Sequence, residues 1–369
     1  MFSPDRWVCE PNWQPFAYDA NGDRLTFVNV PREVQRQRTF LDRRFLQDLP
    51  KTDFVPVKSL PREVATDRAG PLHFIFHTAF CCSTLLTRAF DLPGAAMGLK
   101  EPEILLSFAD AFESKGRSFE FHAALSITLD LLSRPLAPGE TQIVKASNLA
   151  NPIVPSILDA RQDAKAIIMH SSLESYLRTT GKNELTGRSF NREALMQLRP
   201  SMPLHSDLTD AVIMRLTDLE VAALVWLMQV RFFKRVIAHH GAERVRTLSS
   251  QTLLARPAET LQSAGDFFNV APKTTGWDEV AAGPVFKEHA KALGRPYNAE
   301  VRRTDLETAG AAHAREIAEV MQWARGLEHK LGGSITLGDT LFETIPRRPE
   351  PVLPRENGAP RMRPTPHHS

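Results

Sequence analysis

The sequence is poor in cysteine, and no spacing of its cysteines and histidines indicates a zinc site. Cys9, Cys81 and Cys82 are its three cysteines, too few for a disulfide framework, which favours a reducing compartment. The Cys-x-x-Cys pairs of structural zinc sites do not occur. We therefore expect a cytoplasmic protein whose site needs no metal.

Long apolar runs and an excess of one charge are also missing. The longest apolar runs, such as residues 222–228, are too short to span a bilayer. The first residues lack the basic head and apolar core of a signal peptide. Lys and Arg number 45 against 43 Asp and Glu, a net charge of +2, which does not indicate a nucleic-acid surface. We expect no membrane span and no nucleic-acid partner, and the sequence leaves the oligomeric state open.

The stretch 72–90, LHFIFHTAFCCSTLLTRAF, contains neither glycine nor lysine. An apolar run is followed by small residues and then by apolar residues at helical spacing, which predicts a strand, a tight loop and a helix. Without Gly-Lys-[ST] it is not a Walker A loop. Its amides and the hydroxyls of Ser83 and Thr84 suit an anion. Alternatively, these two residues only cap the helix.

Polar residues follow each predicted strand of the chain. The further strands are predicted at residues 95–100, 142–145, 164–169 and 244–248. Strands and helices that alternate in short units predict an α/β fold, a three-layer parallel sheet with flanking helices. Glu101, Lys145 and His170 then lie at the carboxyl edge of the sheet, where ligands of such folds bind.

Two of these segments resemble the sulfotransferase family, of the bacterial and Golgi type with a K-[ST]-P strand end. The phosphosulfate loop of that family reads roughly G-x-P-[RK]-S-G-T-T-L-L, and residues 83–86, STLL, match its tail. Phe80 stands where the family has a basic residue, Cys81 where it has Ser, and Cys82 where it has Gly. Residues 143–147, IVKAS, match the strand that ends in K-[ST]-P.

Two later segments extend the resemblance to residues 72–291. Residues 163–171, DAKAIIMHS, are similar to the family pattern P-x-A-K-[FI]-I-x-x-x-R-D-P, with His170 in the place of Arg. Lys287, His289 and Lys291 match a basic loop of type K-x-H-x-K, although the same residues also suit an ordinary exposed loop. The resemblance implies a P-loop NTPase-like fold of the sulfotransferase type.

The resemblance also implies a cofactor, 3′-phosphoadenosine 5′-phosphosulfate, used without a metal. The residues that it assigns to the nucleotide are Phe80, Cys81, Cys82, Ser83, Thr84, His170, Arg178, Lys287 and Lys291. Arg178 or Lys182 would rebuild the phosphate site that the family completes with the Arg lost at His170. The two loop thiols would be reactive at a helix N-terminus, or else buried and inert.

Three residues are candidates for catalysis. Lys145 replaces the cation that Phe80 cannot supply. Glu101 is the first candidate for the base that takes the acceptor proton, and His77 is the second. Glu101 also suits the first turn of a helix, and His77 also suits a satisfied histidine at a strand end.

The implied reaction is transfer of a sulfuryl group to a hydroxyl or amine of a small-molecule or glycan acceptor. One alternative is a nucleotide- or phosphate-binding protein of the same fold that has lost catalysis. Another is a nucleotide-dependent phosphotransferase, against which the absence of Gly-Lys-[ST] and of a strand-ending Asp for magnesium argues.

Around this core we predict an N-terminal extension over residues 1–71, an α/β domain over 72–335, and a disordered Pro- and Arg-rich tail over 345–369. Local periodicity predicts a helix over 32–46, a polar connection over 189–207, a helix over 210–239, and a helix over 309–331.

Overall fold

A computed structural model describes residues 5–116, 118–204, 207–333 and 336–343. The predicted tail over 345–369 lies outside these ranges. The chain begins with a small antiparallel sheet and short helices. Its elements are α1 (Asp5–Cys9), β1 (Trp13–Asp19), β2 (Arg24–Asn29), α2 (Arg32–Gln37), β3 (Val55–Pro56) and α3 (Arg62–Asp67), with sheet order β1-β2-β3. The helix predicted over 32–46 was too long, since α2 ends at Gln37.

The central part of the chain alternates strands with helices. Its elements are β4 (Leu72–His77), α4 (Ser83–Ala89), β5 (Ala96–Lys100), α5 (Glu103–Lys115), α6 (Phe119–Leu132), β6 (Thr141–Lys145), α7 (Val154–Ala160), β7 (Ala166–His170), α8 (Leu173–Lys182), α9 (Glu184–Leu198), α10 (Asp210–Ile213), α11 (Asp218–His240) and β8 (Val245–Ser249). A 3₁₀ turn, Asn148–Ile153, joins β6 to α7.

The last described elements are mostly helical. They are α12 (Ser250–Ala255), α13 (Pro257–Phe268), α14 (Trp277–Ala282), β9 (Glu288–His289), β10 (Ala292–Pro296), α15 (Ala299–Ala312) and α16 (Ala314–Lys330), with 3₁₀ turns at Pro284–Phe286 and Thr340–Phe342. Strands β9 and β10 form an antiparallel hairpin. No helix in the described ranges is long and apolar enough to cross a bilayer.

The predicted α/β class is confirmed by the central sheet. Five parallel strands have the order β5-β6-β4-β7-β8. Phe74 and Phe76 of β4 face one apolar core, whereas Ile75 faces a second core on the other side of the sheet. Because strand side chains alternate between faces, helices cover both sides and make three layers.

The strand order sets the position of the loop after β4. The chain passes from β4 to β5 and β6 on one side, and then to β7 and β8 on the other. The carboxyl end of β4 is therefore the point where the winding reverses, and ligands of open α/β sheets bind at such a point.

The N-terminal segment packs against the central body. Val8, Leu25 and Phe27 share one apolar core with residues of the sheet. Arg134, at the end of α6, is 2% exposed, and its guanidinium donates to main-chain carbonyls of residues 7, 8, 10 and 13. The domain boundary at residue 71 stays a prediction.

Candidate functional site

A cavity of about 500 Å³ opens at the carboxyl edge of the sheet, above the loop between β4 and α4. Its walls come from that loop, the ends of β5 and β6, helices α8, α9 and α15, and the β9–β10 hairpin. The predicted site residues that line it are His77, Phe80, Cys81, Cys82, Ser83, Thr84, Glu101, Lys145 and Lys291. The structure places the others, His170, Arg178 and Lys287, elsewhere.

The loop between β4 and α4 has an unusual backbone. Ala79, Phe80 and Cys82 have φ values of 68°, 52° and 62°, a left-handed region that residues other than glycine rarely adopt. Bulky side chains there are costly unless the surroundings hold the loop in place.

A buried amide network supplies that support. Asn151 Nδ2 donates to His77 O at 3.1 Å and to Gln229 Oε1 at 3.0 Å, and Gln229 Nε2 donates to Thr78 O at 3.2 Å. Asn151 and Gln229 are fully buried. The 3₁₀ turn and α11 thus fix the two carbonyls from which the loop departs.

Two buried polar groups in the cavity wall have no hydrogen-bond partner among the described residues. They are Thr84 Oγ1 and His77 Nε2, and both residues line the cavity. A buried polar atom without a partner costs free energy. A ligand oxygen in the cavity would remove that cost at both atoms.

The hydrogen bonds of His77 determine its tautomer. Its Nδ1 accepts from the N–H of Ala79 at 3.0 Å, so the ring hydrogen is on Nε2, 3.9 Å from Glu101 Oε1. Burial holds the pKa of His77 well below its usual range, and the charges of Lys145 and Lys291 lower it further. His77 is therefore a neutral donor, and this arrangement does not suit the role of a base.

Lys145 and Glu101 form a buried ion pair at the ends of adjacent strands. Lys145, 1% exposed, donates through Nζ to Glu101 Oε1, and the N–H of Glu101 donates to Lys145 O at 2.7 Å. These contacts hold Glu101 at φ +54°. Burial lowers the pKa of Lys145, and Glu101 opposes this shift.

Arg302 supplies a cation beside the loop residue that lacks one. The ring of Phe80 packs against Tyr176 and Phe190, with centroids 5.2 and 5.3 Å apart. Its carbonyl accepts from Arg302 Nη2 at 3.4 Å. Arg302 comes from α15, far along the chain, and no local motif marks it.

The cavity carries more positive than negative charge. Its lining includes the cations Arg44, Lys145, Lys182, Lys291 and Arg302 and the acids Glu101 and Glu288. Lys145 and Lys291 both place Nζ near the ring of Phe40, at 5.2 and 5.5 Å from its centroid. This excess of cations suits a ligand with several negative charges.

Lys182 lines the cavity, whereas Arg178, one turn earlier on α8, does not. Arg178 Nη2 pairs with Glu174 Oε1 at 2.6 Å, and a Cβ at Gly310 would lie 2.7 Å from its guanidinium. Helix α15 therefore covers Arg178. Lys182 Nζ donates to Tyr297 Oη at 3.2 Å and to the carboxylate of Asp305.

The other two predicted phosphate contacts are also engaged or directed elsewhere. His170 Nε2 donates to Gly338 O at 3.2 Å and lies 3.8 Å from Asp339 Oδ1. Lys287 is exposed, outside the cavity. Of the K-x-H-x-K match, Lys291 and His289 line the cavity.

The surroundings of the two loop thiols oppose the formation of thiolates. Burial raises the pKa of Cys81 to about 11, and it also raises the pKa of Cys82 although Arg302 and Lys291 are nearby. The thiol of Cys81 donates to Met169 O at 3.3 Å. Cys81 is buried and Cys82 is partly buried, and the reactivity of the two thiols stays a prediction.

The prediction also missed Asn148, Phe40 and Arg44 in the cavity wall, although Asn148 had a local signal. Asn148 follows Lys145-Ala146-Ser147, at the end of a strand, so its position was indicated by the same rule. Phe40 and Arg44 belong to the N-terminal segment, and their approach to the cavity depends on how that segment packs.

No family model and no curated protein matches this sequence. Solved structures similar to the chain include a sulfotransferase domain of the curacin biosynthetic pathway, with 14% identity and a TM-score of 0.40 over 73% of this chain and 99% of that one. A sulfotransferase of Alicyclobacillus acidocaldarius has 15% identity and a TM-score of 0.35 over 72% and 97%. One from Mycobacterium tuberculosis has 10% identity and a TM-score of 0.41 over 75% and 80%. All three of these solved structures are sulfotransferases or sulfotransferase domains.

Proposed function

We propose that the cavity binds 3′-phosphoadenosine 5′-phosphosulfate and that the chain transfers its sulfuryl group to a hydroxyl or amine of a small-molecule or glycan acceptor. The observation that carries the proposal is the pair of unpartnered buried donors, Thr84 Oγ1 and His77 Nε2, in a cation-rich cavity. They lie at the loop whose sequence resembles the phosphosulfate loop.

The cations around the cavity would hold the nucleotide. Arg302 lies where the loop lacks its basic residue, and it would contact the phosphosulfate together with the hydroxyl of Thr84. Of the four residues predicted for the 3′-phosphate, Arg178, Lys182, Lys287 and Lys291, only Lys182 and Lys291 line the cavity, and we keep these two as its candidates. Arginine and lysine both suit phosphate oxygens.

Two residues would act in the transfer itself. The bound donor supplies the sulfuryl group, and Lys145 would neutralise the charge that develops on the departing phosphate oxygen. Glu101 would take the acceptor proton. Because each of them now holds the other, an anionic ligand that attracts Lys145 also releases the carboxylate of Glu101 for this role.

A nucleotide-binding protein without turnover is the second candidate. The ion pair between Lys145 and Glu101 favours it, because the pair neutralises the cation on which transfer depends. Binding alone does not distinguish the two candidates, whereas formation of a sulfated product does.

Titration calorimetry tests the binding step. We expect 3′-phosphoadenosine 5′-phosphate to bind and ATP with Mg²⁺ to bind far more weakly. Thr84→Val should weaken the first ligand roughly tenfold, because a hydrogen bond to a charged oxygen is lost. Thr128→Val is the matched control, since Thr128 Oγ1 is also buried and unpartnered but lies outside the cavity. Preference for ATP with Mg²⁺, or equal losses in both variants, would contradict the proposal.

A further inference from the structure

Three side chains that can ligate a metal lie together at the amino-terminal edge of the central sheet. Asp159 is in the last turn of α7, which leads to β7, and His239 and His240 end α11, which leads to β8. One oxygen or nitrogen atom of each lies within 4.8 Å of the others. The cavity lies at the opposite, carboxyl edge, so this cluster is separate from it.

We propose that Asp159, His239 and His240 bind one divalent transition-metal ion of the Zn²⁺ type, which joins α7 to α11. Two imidazoles and a carboxylate form a donor set that zinc takes, with a water completing the coordination. Zinc bonds to nitrogen and oxygen measure about 2.0–2.2 Å in a tetrahedral site, so each ligand atom would have to move inward by at most roughly 0.8 Å.

The candidate ligand atoms form few hydrogen bonds or ion pairs with the described residues. His240 Nε2 is buried and has no hydrogen-bond partner. The carboxylate of Asp159 has neither a hydrogen bond nor an ion pair in the described part of the chain. The rings of His239 and His240 meet edge to face with centroids 4.7 Å apart, so the two imidazoles occupy the same small region.

The ends of two helices favour a cation at this place. Both α7 and α11 end beside the cluster, and the carbonyl end of a helix carries partial negative charge. Arg244 already places a positive charge at the end of α7, because its Nη2 donates to Leu158 O at 2.7 Å and to Arg161 O at 2.8 Å. Arg244 also raises the electrostatic cost of a second cation, which predicts moderate affinity.

Metal titration of the full chain tests the site. His367 and His368 are two adjacent histidines that could also bind the metal, so both are changed to Ala in every sample, and no polyhistidine tag is used. We expect the chain to bind one Zn²⁺. When Co²⁺ is added instead, we expect the bound ion to absorb visible light. His239→Ala and Asp159→Asn should each weaken Zn²⁺ roughly tenfold or more.

His329→Ala is the matched control, because His329 is an exposed histidine in the last turn of another helix, α16. It should keep the parent affinity. Saturating Zn²⁺ should raise the Tm of the parent by about 2–4 °C and leave that of His239→Ala unchanged. Absence of Zn²⁺ binding, or parental affinity in His239→Ala and Asp159→Asn, would overturn the proposal. Binding of 3′-phosphoadenosine 5′-phosphate at the other edge should stay unchanged in these variants.

Discussion

At the scale of single residues, the cavity wall contains a buried pair of opposite charges. Lys145 is 1% exposed and its ammonium has the carboxylate of Glu101 as its partner. Buried ion pairs contribute little net stability, but removal of one partner leaves an uncompensated charge. The ion pair between Lys145 and Glu101 is therefore expected to add little net stability.

Lys145→Met should reduce turnover roughly 10²–10³-fold, the scale expected when one preorganised charge-stabilising group is lost. Affinity for 3′-phosphoadenosine 5′-phosphate should change much less. The measurement is product formation with a verified acceptor. Lys100→Met is the matched control, because Lys100 pairs with Lys145 in the sheet register and is also buried, but does not line the cavity. Parental turnover in Lys145→Met would remove Lys145 from the mechanism.

Arg302→Met should weaken 3′-phosphoadenosine 5′-phosphate roughly tenfold or more, because a charge-assisted contact to phosphate is lost. Arg303→Met provides the comparison, because Arg303, the neighbour of Arg302 on α15, is exposed, pairs with Glu300 and lies outside the cavity. Calorimetry on both variants checks the prediction. Similar affinities would remove Arg302 from the site.

At the scale of elements, the packing of α11 and of the 3₁₀ turn determines the shape of the loop after β4. Gln229 and Asn151 hold the carbonyls of Thr78 and His77. The side chains of Gln229 and Asn151 are uncharged, so they support the backbone geometry of the loop and add no charge to the cavity.

Gln229→Leu should lower the free energy of unfolding by about 1–3 kcal/mol, because the buried carbonyl of Thr78 loses its donor. It should also weaken nucleotide binding, because the loop loses its support. Gln262→Leu, at an exposed residue of α13 that bonds Asp266, should change stability by less than about 0.5 kcal/mol. Urea unfolding measures both, and equal stabilities would contradict the role of Gln229.

Tertiary contacts changed several predicted elements. After Gln37 the backbone becomes extended, and the N–H of Leu41 donates to Lys100 O at 2.7 Å. A hydrogen bond to the end of β5 therefore takes the place of the helical hydrogen bond that periodicity predicted. Residues 189–207 were predicted as a connection, but α9 runs through Glu184–Leu198. Its buried residues 187, 191, 194, 195 and 198 follow helical spacing, and its polar outer face concealed the pattern. The C-terminal helix is two helices, α15 and α16, which meet at His313.

At the scale of the whole molecule, buried histidines predict sensitivity to acid. Burial, together with the nearby charge of Lys165, lowers the pKa of His73 to about 4. A histidine whose pKa is lowered by folding is held neutral in the folded state. Its contribution to the free energy of unfolding is therefore complete above the ordinary pKa of histidine, about 6.5. That contribution is lost as the pH falls from there towards 4.

Between pH 7.5 and pH 5, wild type should therefore lose about 1–2 kcal/mol more unfolding free energy than His73→Asn. Urea unfolding at the two pH values measures the difference. His329→Asn, at an exposed histidine, should behave like wild type. An equal loss in His73→Asn and wild type would show that His73 does not titrate in this range.

The sequence by itself determined the alternation of strands and helices and the edge at which their polar residues gather. Apolar runs and small loop residues act over a few positions, so local patterns suffice for the loop at 78–84, for Lys145 and for Glu101. Only the tertiary structure decided which cations reach that loop. Phe80 and Arg302 are 222 positions apart. Arg178 and Lys182, one turn apart on α8, both contact α15, but only Lys182 lines the cavity. Packing between distant helices depends on the whole core, and no local pattern in the chain encodes it.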